Sequence, residues 1–158
     1  MSYEDSYVGS LRQVVGDRRL ITPGPRAVIM DDQDRLLLIR RSDNGAWAMP
    51  AGGLELGESI WEALVREVRE ETGLTVEAAT PFALYTEKRF WFTNAYGGQH
   101  QLFTVAFRVD RWSGSLLSET DETVDARFFA RSNLPEINSV YLETLQDLDA
   151  YDRTVILK

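Results

Sequence analysis

The sequence predicts an α/β chain in which a mixed β-sheet lies between helices. Three observations predict it. Short runs rich in Val, Ile, Leu and aromatics recur on both sides of residues 59–72, a stretch with no Gly or Pro. A second apolar run at helical spacing comes late, at residues 138–150. The chain has 158 residues, 44% of them apolar, which suits a single domain with one core over residues 1–158.

In chain order, Tyr7, Val8, Leu11, Val14 and Val15 have helical spacing and stop at Gly16, which predicts a short N-terminal helix at 7–15. Residues 19–22 read as a strand, and Pro23-Gly24-Pro25 as a turn. Residues 26–30 and 35–41 read as paired strands across the polar turn Asp31-Asp32-Gln33-Asp34. A loop at 42–45 leads through Trp47 and Pro50 to the central helix. Residues 75–88 have strand character broken at Pro81, and residues 101–110 form a cleaner strand. A polar loop at 112–123 precedes a strand at 124–130. The late helix carries Val140, Leu142, Leu145 and Leu148 on one side, and residues 153–157 close the chain as a short strand. Internal repeats, low-complexity tracts and linkers are absent from the sequence.

Composition narrows the chemistry. With no cysteine, disulfides, thiolate zinc sites and a cysteine nucleophile are excluded. The single histidine, His100, cannot build a multi-histidine zinc site, and it reads as a loop residue. A formal charge of −8 argues against a broad nucleic-acid-binding surface and would repel a polyphosphate unless cations intervene. The opening Met1-Ser2-Tyr3-Glu4-Asp5 is unlike a signal peptide, and no apolar run reaches the ~20 residues of a membrane span. A cytoplasmic protein without membrane partners is expected, and a homodimer is compatible with the sequence.

The central helix carries the chemistry. Ser59 reads as its N-cap, Glu62 as the capping-box partner and Gly73 as a left-handed stop. Ile60, Trp61, Leu64, Val65 and Val68 share an apolar sector, with Glu62, Arg66 and Arg69 facing water. Glu67, Glu70 and Glu71 fit neither group. Spacings of three and four place them on one flank bordering the buried face, with Cβ atoms roughly 5–6 Å apart. Like charges so placed repel, and Arg66 alone cannot neutralise three carboxylates. Mg²⁺, with its preference for oxygen ligands, can. A solvated acidic face is the alternative for an ordinary E-x-x-E-E run. Ala51-Gly52-Gly53 before the helix favours the metal, because glycines allow close backbone approach and a loop entering a helix offers N–H groups to anions.

Read as a pattern, residues 52–74 are Gly52-x5-Glu58-x7-Arg66-Glu67-Val68-x-Glu70-Glu71-x-Gly73-Leu74. A match to all these positions arises by accident on the order of 10⁻⁹ per starting position. The stretch resembles the Nudix box. The resemblance implies an α/β/α sandwich with a mixed β-sheet and hydrolysis of a phosphoanhydride in a nucleoside diphosphate linked to another moiety, with Mg²⁺ as cofactor and Mn²⁺ as a substitute. It implies metal ligation by Glu67, Glu70, Glu71 and the Ala51 carbonyl. It gives Glu58 an ordering role and Arg66 the role of orienting the carboxylates through ion pairs. Without a usable histidine, a carboxylate must accept the proton of the attacking water, and Glu70 and Glu122 are the candidates. Glu122 comes from the acidic segment 116–123, where an acidic surface turn is the other reading.

Substrate contacts are less sharply marked. Arg26, Arg40 and Arg41 are candidates for phosphate, against exposed strand arginines. Tyr85 and Phe92, in an aromatic-rich stretch with Phe90, Trp91 and Tyr96, are candidates for stacking a nucleobase, against packing under a loop. A non-catalytic Nudix-like nucleotide sensor is the alternative function, and the complete set of glutamates weighs against it. An isomerase reading is weaker still, because the cysteine chemistry of isoprenoid relatives is missing here.

Overall fold

The computed structural model describes residues 3–158. Eight strands and three α-helices follow in the order α1 (Tyr7–Val15), β1 (Leu20–Val28), β2 (Arg35–Arg41), β3 (Trp47–Ala48), α2 (Ile60–Thr72), β4 (Thr75–Tyr85), β5 (Phe92–Thr93), β6 (Gln99–Ser113), β7 (Thr123–Ala130), α3 (Ser139–Ala150) and β8 (Ile156–Leu157). One sheet runs β1-β6-β4-β8, with β5 paired to β6, and a second runs β3-β2-β7. The first is mixed: β1 is parallel to β6, β6 antiparallel to β4, and β4 parallel to β8. The α/β class and the mixed sheet predicted from the sequence are both present.

The sandwich follows from strands that bury both faces. Ala27, Ile29, Leu37 and Ile39 pack against Leu64 and Val68 of α2. The alternate residues Val28, Leu36 and Leu38 pack on the other side with Phe82 and with Leu145 of α3. Helix α2 forms where its capping signals lie. Ser59 Oγ accepts the Glu62 N–H while the Glu62 carboxylate accepts the Ser59 N–H, and Gly73 adopts φ 77°. Asn138 caps α3 through its side-chain oxygen, which accepts the Val140 N–H.

Several expectations are corrected. Pro23-Gly24-Pro25 is no turn but the middle of β1, in register with Phe103, Thr104 and Val105 of β6. The two strands flanking residues 31–34 do pair next to the turn, around Met30–Leu36, with Asp31 N–H on the Arg35 carbonyl and Leu37 N–H on the Ile29 carbonyl. Beyond it they diverge into different sheets, β1 onto β6 and β2 onto β7. Proline 81 interrupts neither strand nor sheet; β4 continues through a bulge between Pro81 and Ala83. His100 is on β6 rather than in a loop, 6% exposed, its ring stacked on Phe92. Burial holds its imidazole down to about 4, so it is neutral at physiological pH. Trp61, expected on the apolar face, is 39% exposed at the start of α2. No helix among the described residues is long and apolar enough to cross a membrane.

Candidate active site

The site assembles where α2 leans on the loop between β3 and α2. Glu67 and Glu71 lie on the buried side of the helix, 7% and 2% exposed. The loop at 50–54 pairs with the edge of β1. Ala27 N–H donates to the Pro50 carbonyl at 2.8 Å and Gly52 N–H to the Pro25 carbonyl at 3.4 Å. Those two bonds flank Arg26 and Ala51, which face each other as a non-hydrogen-bonded antiparallel pair. In such a pair the N–H and C=O point away from the partner strand. The Ala51 N–H accordingly donates to Glu71 Oε2 at 2.9 Å, and its carbonyl turns to the same side. Gly52 has no side chain because a Cβ there would occupy the Glu67 carboxylate.

Glu122 reaches the cluster through the loop before β7. Leu117 N–H bonds the Thr72 carbonyl at 2.9 Å, and the Leu117 side chain sits where a Cβ on Gly73 would be, 2.6 Å from its Cγ. Gly73 therefore serves twice, as helix stop and as seat for this loop. Oxygens of Glu67, Glu71 and Glu122 all lie within 4.8 Å of one another. Glu70 and Glu119 line an open depression beside Glu122.

Arg66 ties the helix to the loop. Its Nε and Nη2 donate to the two oxygens of Glu58 at 2.6 and 3.0 Å, and Nη2 also donates to the Gly53 carbonyl at 2.8 Å. Nη1 donates to Glu67 at 2.7 Å and to Glu70 at 3.3 Å. The expectation that Arg66 faces water is corrected: its side chain is only 20% exposed and turned onto the loop. Arg66 is the main reason Glu58 titrates below the ordinary carboxylate range. Glu58 also accepts the Glu55 N–H at 3.0 Å, closing the loop on itself.

Arg66 does not balance the buried charge. Burial, foremost, pushes Glu67 up to about 7, with Arg66 opposing it and Glu122 and Glu70 adding to the rise. Glu71 is raised well above the carboxylate range by burial and by Glu67, against the nearby Arg41. Converging oxygens that resist ionisation are what a divalent cation would relieve, and the donor set, hard oxygens only, fits Mg²⁺ or Mn²⁺. A pH dependence follows. Between the ordinary value of 4.5 and about 7, folded Glu67 keeps a proton that the unfolded chain has released. The metal-free protein therefore loses stability as pH rises from 4.5 to 7, on the order of 3 kcal/mol from this group. Thermal unfolding in EDTA should show the midpoint falling across that range and recovering with Mg²⁺. A midpoint that rises instead would remove the buried-carboxylate explanation.

The sequence-predicted substrate residues do not converge as a set. Arg41 stands nearest in effect, since its charge acts on Glu71; it is held bidentately by Asp43 at 2.9 and 2.8 Å. Arg40 bonds the Gly45 carbonyl on the exposed side of the β2–β3 turn. Arg26 is neither a surface arginine nor open to solvent: it is 4% exposed beneath α3, where Nη1 donates to Thr144 and Nε has no partner. Tyr85 offers no stacking face, being fully buried with its hydroxyl on Asp147 at 2.8 Å. Phe92 is 44% exposed, but its β6 partner His100 lies six residues from Ala106, the partner of Arg26. That separation is roughly 20 Å along the strand. Sequence reasoning missed Asp43, Thr144 and Tyr141, whose ring lies 5.1 Å from the Arg26 guanidinium. Arg41-x-Asp43 was a visible pairing signal, whereas Tyr141 and Thr144 read only as ordinary positions of the late helix.

A sequence model of the NUDIX domain matches residues 21–148. The chain belongs to the Nudix family. It is 30% identical over 122 residues to the ADP-ribose pyrophosphatase of Methanocaldococcus jannaschii, covering 75% of this chain and 68% of that protein. It is 34% identical over 116 residues to the human 8-oxo-dGDP phosphatase NUDT18, covering 69% of this chain but only 32% of that longer protein. A MutT Nudix hydrolase from Burkholderia pseudomallei superposes with a TM-score of 0.67 at 25% identity, covering 82% of this chain and 98% of the other. This Nudix protein is thus a hydrolase, and the described geometry is that of its box. Carboxylates, loop and arginine stand together in one place.

Proposed function

We propose that this Nudix hydrolase cleaves a phosphoanhydride bond in a nucleoside diphosphate derivative, using a divalent cation held by Glu67, Glu71, Glu122 and the Ala51 carbonyl. The observation that carries the reading is the convergence of three carboxylates within 4.8 Å, two of them buried. When bound, Mg²⁺ supplies charge that polarises a phosphoryl oxygen and lowers the pKa of a water. The protein's own groups do the rest. Arg66 fixes Glu67 and Glu70 in place while anchoring Glu58 and Gly53. Glu70, on the same flank but 29% exposed in its side chain, is the base proposed to take the proton from an attacking water. Glu122 is assigned to the cation because its oxygen falls inside the buried cluster.

Arg41, beside Glu71, is the phosphate contact in this reading. Arg26, closed off beneath α3, is given no substrate contact in it. A diphosphate joined to a nucleoside agrees with the names of both relatives, an ADP-ribose pyrophosphatase and an 8-oxo-dGDP phosphatase. The test is a panel of nucleoside diphosphate derivatives with Mg²⁺ or Mn²⁺ in ¹⁸O-labelled water, with products resolved by mass. A nucleoside monophosphate or its partner phosphate should carry one labelled oxygen on phosphorus. Label on a sugar carbon would reject phosphoryl chemistry, and equal turnover in EDTA would reject the cation.

A further inference from the structure

From the structure we infer that Gly24, outside the box, is a positioning residue for the metal-binding loop, and that Pro23-Gly24-Pro25 is the platform that aims the Ala51 carbonyl. The inference rests on the metal reading above.

Two close approaches hold the loop. A Cβ on Gly24 would overlap the carbonyl oxygen of Gly52, a backbone atom that no side-chain rotation can move aside. On its other side Gly52 lies against the Glu67 carboxylate, where it too has no room for a Cβ. The loop is therefore confined between β1 and α2, and a methyl group on Gly24 would drive it into Glu67. Relief needs a displacement on the order of 1 Å, the scale at which misplaced catalytic groups lose about a hundredfold in rate.

The flanking prolines set the hydrogen-bond pattern. Leu54 N–H donates to the Pro23 carbonyl at 2.9 Å and Gly52 N–H to the Pro25 carbonyl at 3.4 Å. In an ordinary antiparallel ladder each of these bonds would be returned by an N–H from β1. Proline has none. The platform thus accepts from the loop without donating to it, leaving the Gly52 carbonyl outside the ladder, and the bond from Ala27 to Pro50 completes the grip. Between these contacts the Ala51 peptide keeps the orientation in which its N–H meets Glu71.

The test is Mn²⁺ binding to the full chain followed by electron paramagnetic resonance, alongside steady-state kinetics. Gly24→Ala should fold, by circular dichroism, yet bind Mn²⁺ at least about tenfold more weakly and lose kcat about a hundredfold. KM should change little, and excess Mn²⁺ should restore part of the rate, which a merely structural lesion would not allow. Wild-type Mn²⁺ affinity in folded Gly24→Ala would overturn the inference. Should that variant not fold, Pro25→Ala decides. Its new N–H would offer the Gly52 carbonyl the ladder bond that proline withholds, so Mn²⁺ affinity should shift a few-fold with the fold intact, and an unchanged affinity would overturn the platform. A wild-type protein that binds no Mn²⁺ would overturn the metal reading and this inference together.

Discussion

Glu71→Gln should lower turnover by at least about a hundredfold while raising the thermal stability of the metal-free protein. The two effects share one cause. Glu71 is 2% exposed, and burial together with the charge of Glu67 makes its ionised form unfavourable. Glutamine keeps the volume and an oxygen for the Ala51 N–H, the single bond Glu71 receives from the loop. It removes the charge that a cation needs and that the folded chain, without a cation, tolerates badly. For a chain of this size each kcal/mol gained is worth about 2–4 °C in Tm. The checks are kcat at saturating Mg²⁺ and the unfolding midpoint in EDTA at pH 8. An active Glu71→Gln variant would place the cation elsewhere. An inactive one with a lowered midpoint would mean that Glu71 serves packing rather than charge.

Arg66→Met should act in the opposite sense on stability and in the same sense on activity. Its guanidinium bonds Glu58, Glu67, Glu70 and the Gly53 carbonyl at once, and methionine replaces none of these bonds. Removing one partner of a largely buried ion pair costs about 3–5 kcal/mol, with the lower end suited to a site still partly open to water. Turnover should fall about 10–100-fold, because Glu67 and Glu70 lose the group that fixes their rotamers. Arg66→Lys should recover little of either, since one ammonium cannot span the two oxygens of Glu58 and still reach Glu67. Chemical denaturation and kinetics on both variants check this. Normal stability in Arg66→Met would show that the observed ion pairs carry no net weight.

The box was readable in advance because its function fixes residue types at fixed helical spacing. Ser59, Glu62 and Gly73 also carry the helix's own start and stop, which are local physics. Glu67 and Glu71 could be placed at the seam from angular position alone, and they are buried there. Reading Arg66 as a solvent-facing residue failed for an equally physical reason. Angular position on a helix says nothing of a loop that folds back over it, and here Glu58 and Gly53 come from such a loop.

The sequence by itself determined the helices, most strands, the α/β class and the chemistry of the box, since each depends on contacts within a few residues or on a spacing. Tertiary structure alone decided which sheet each strand joins, that Pro23-Gly24-Pro25 runs straight along β6, and that Glu122 enters the carboxylate cluster. It also decided that Arg26 and Tyr85 are buried beneath α3 rather than open at a cleft. Those outcomes depend on which surfaces far apart in the chain come together. An arginine or a tyrosine on a strand reads the same whether water or a helix covers it, and only the packing of α3 distinguishes the two.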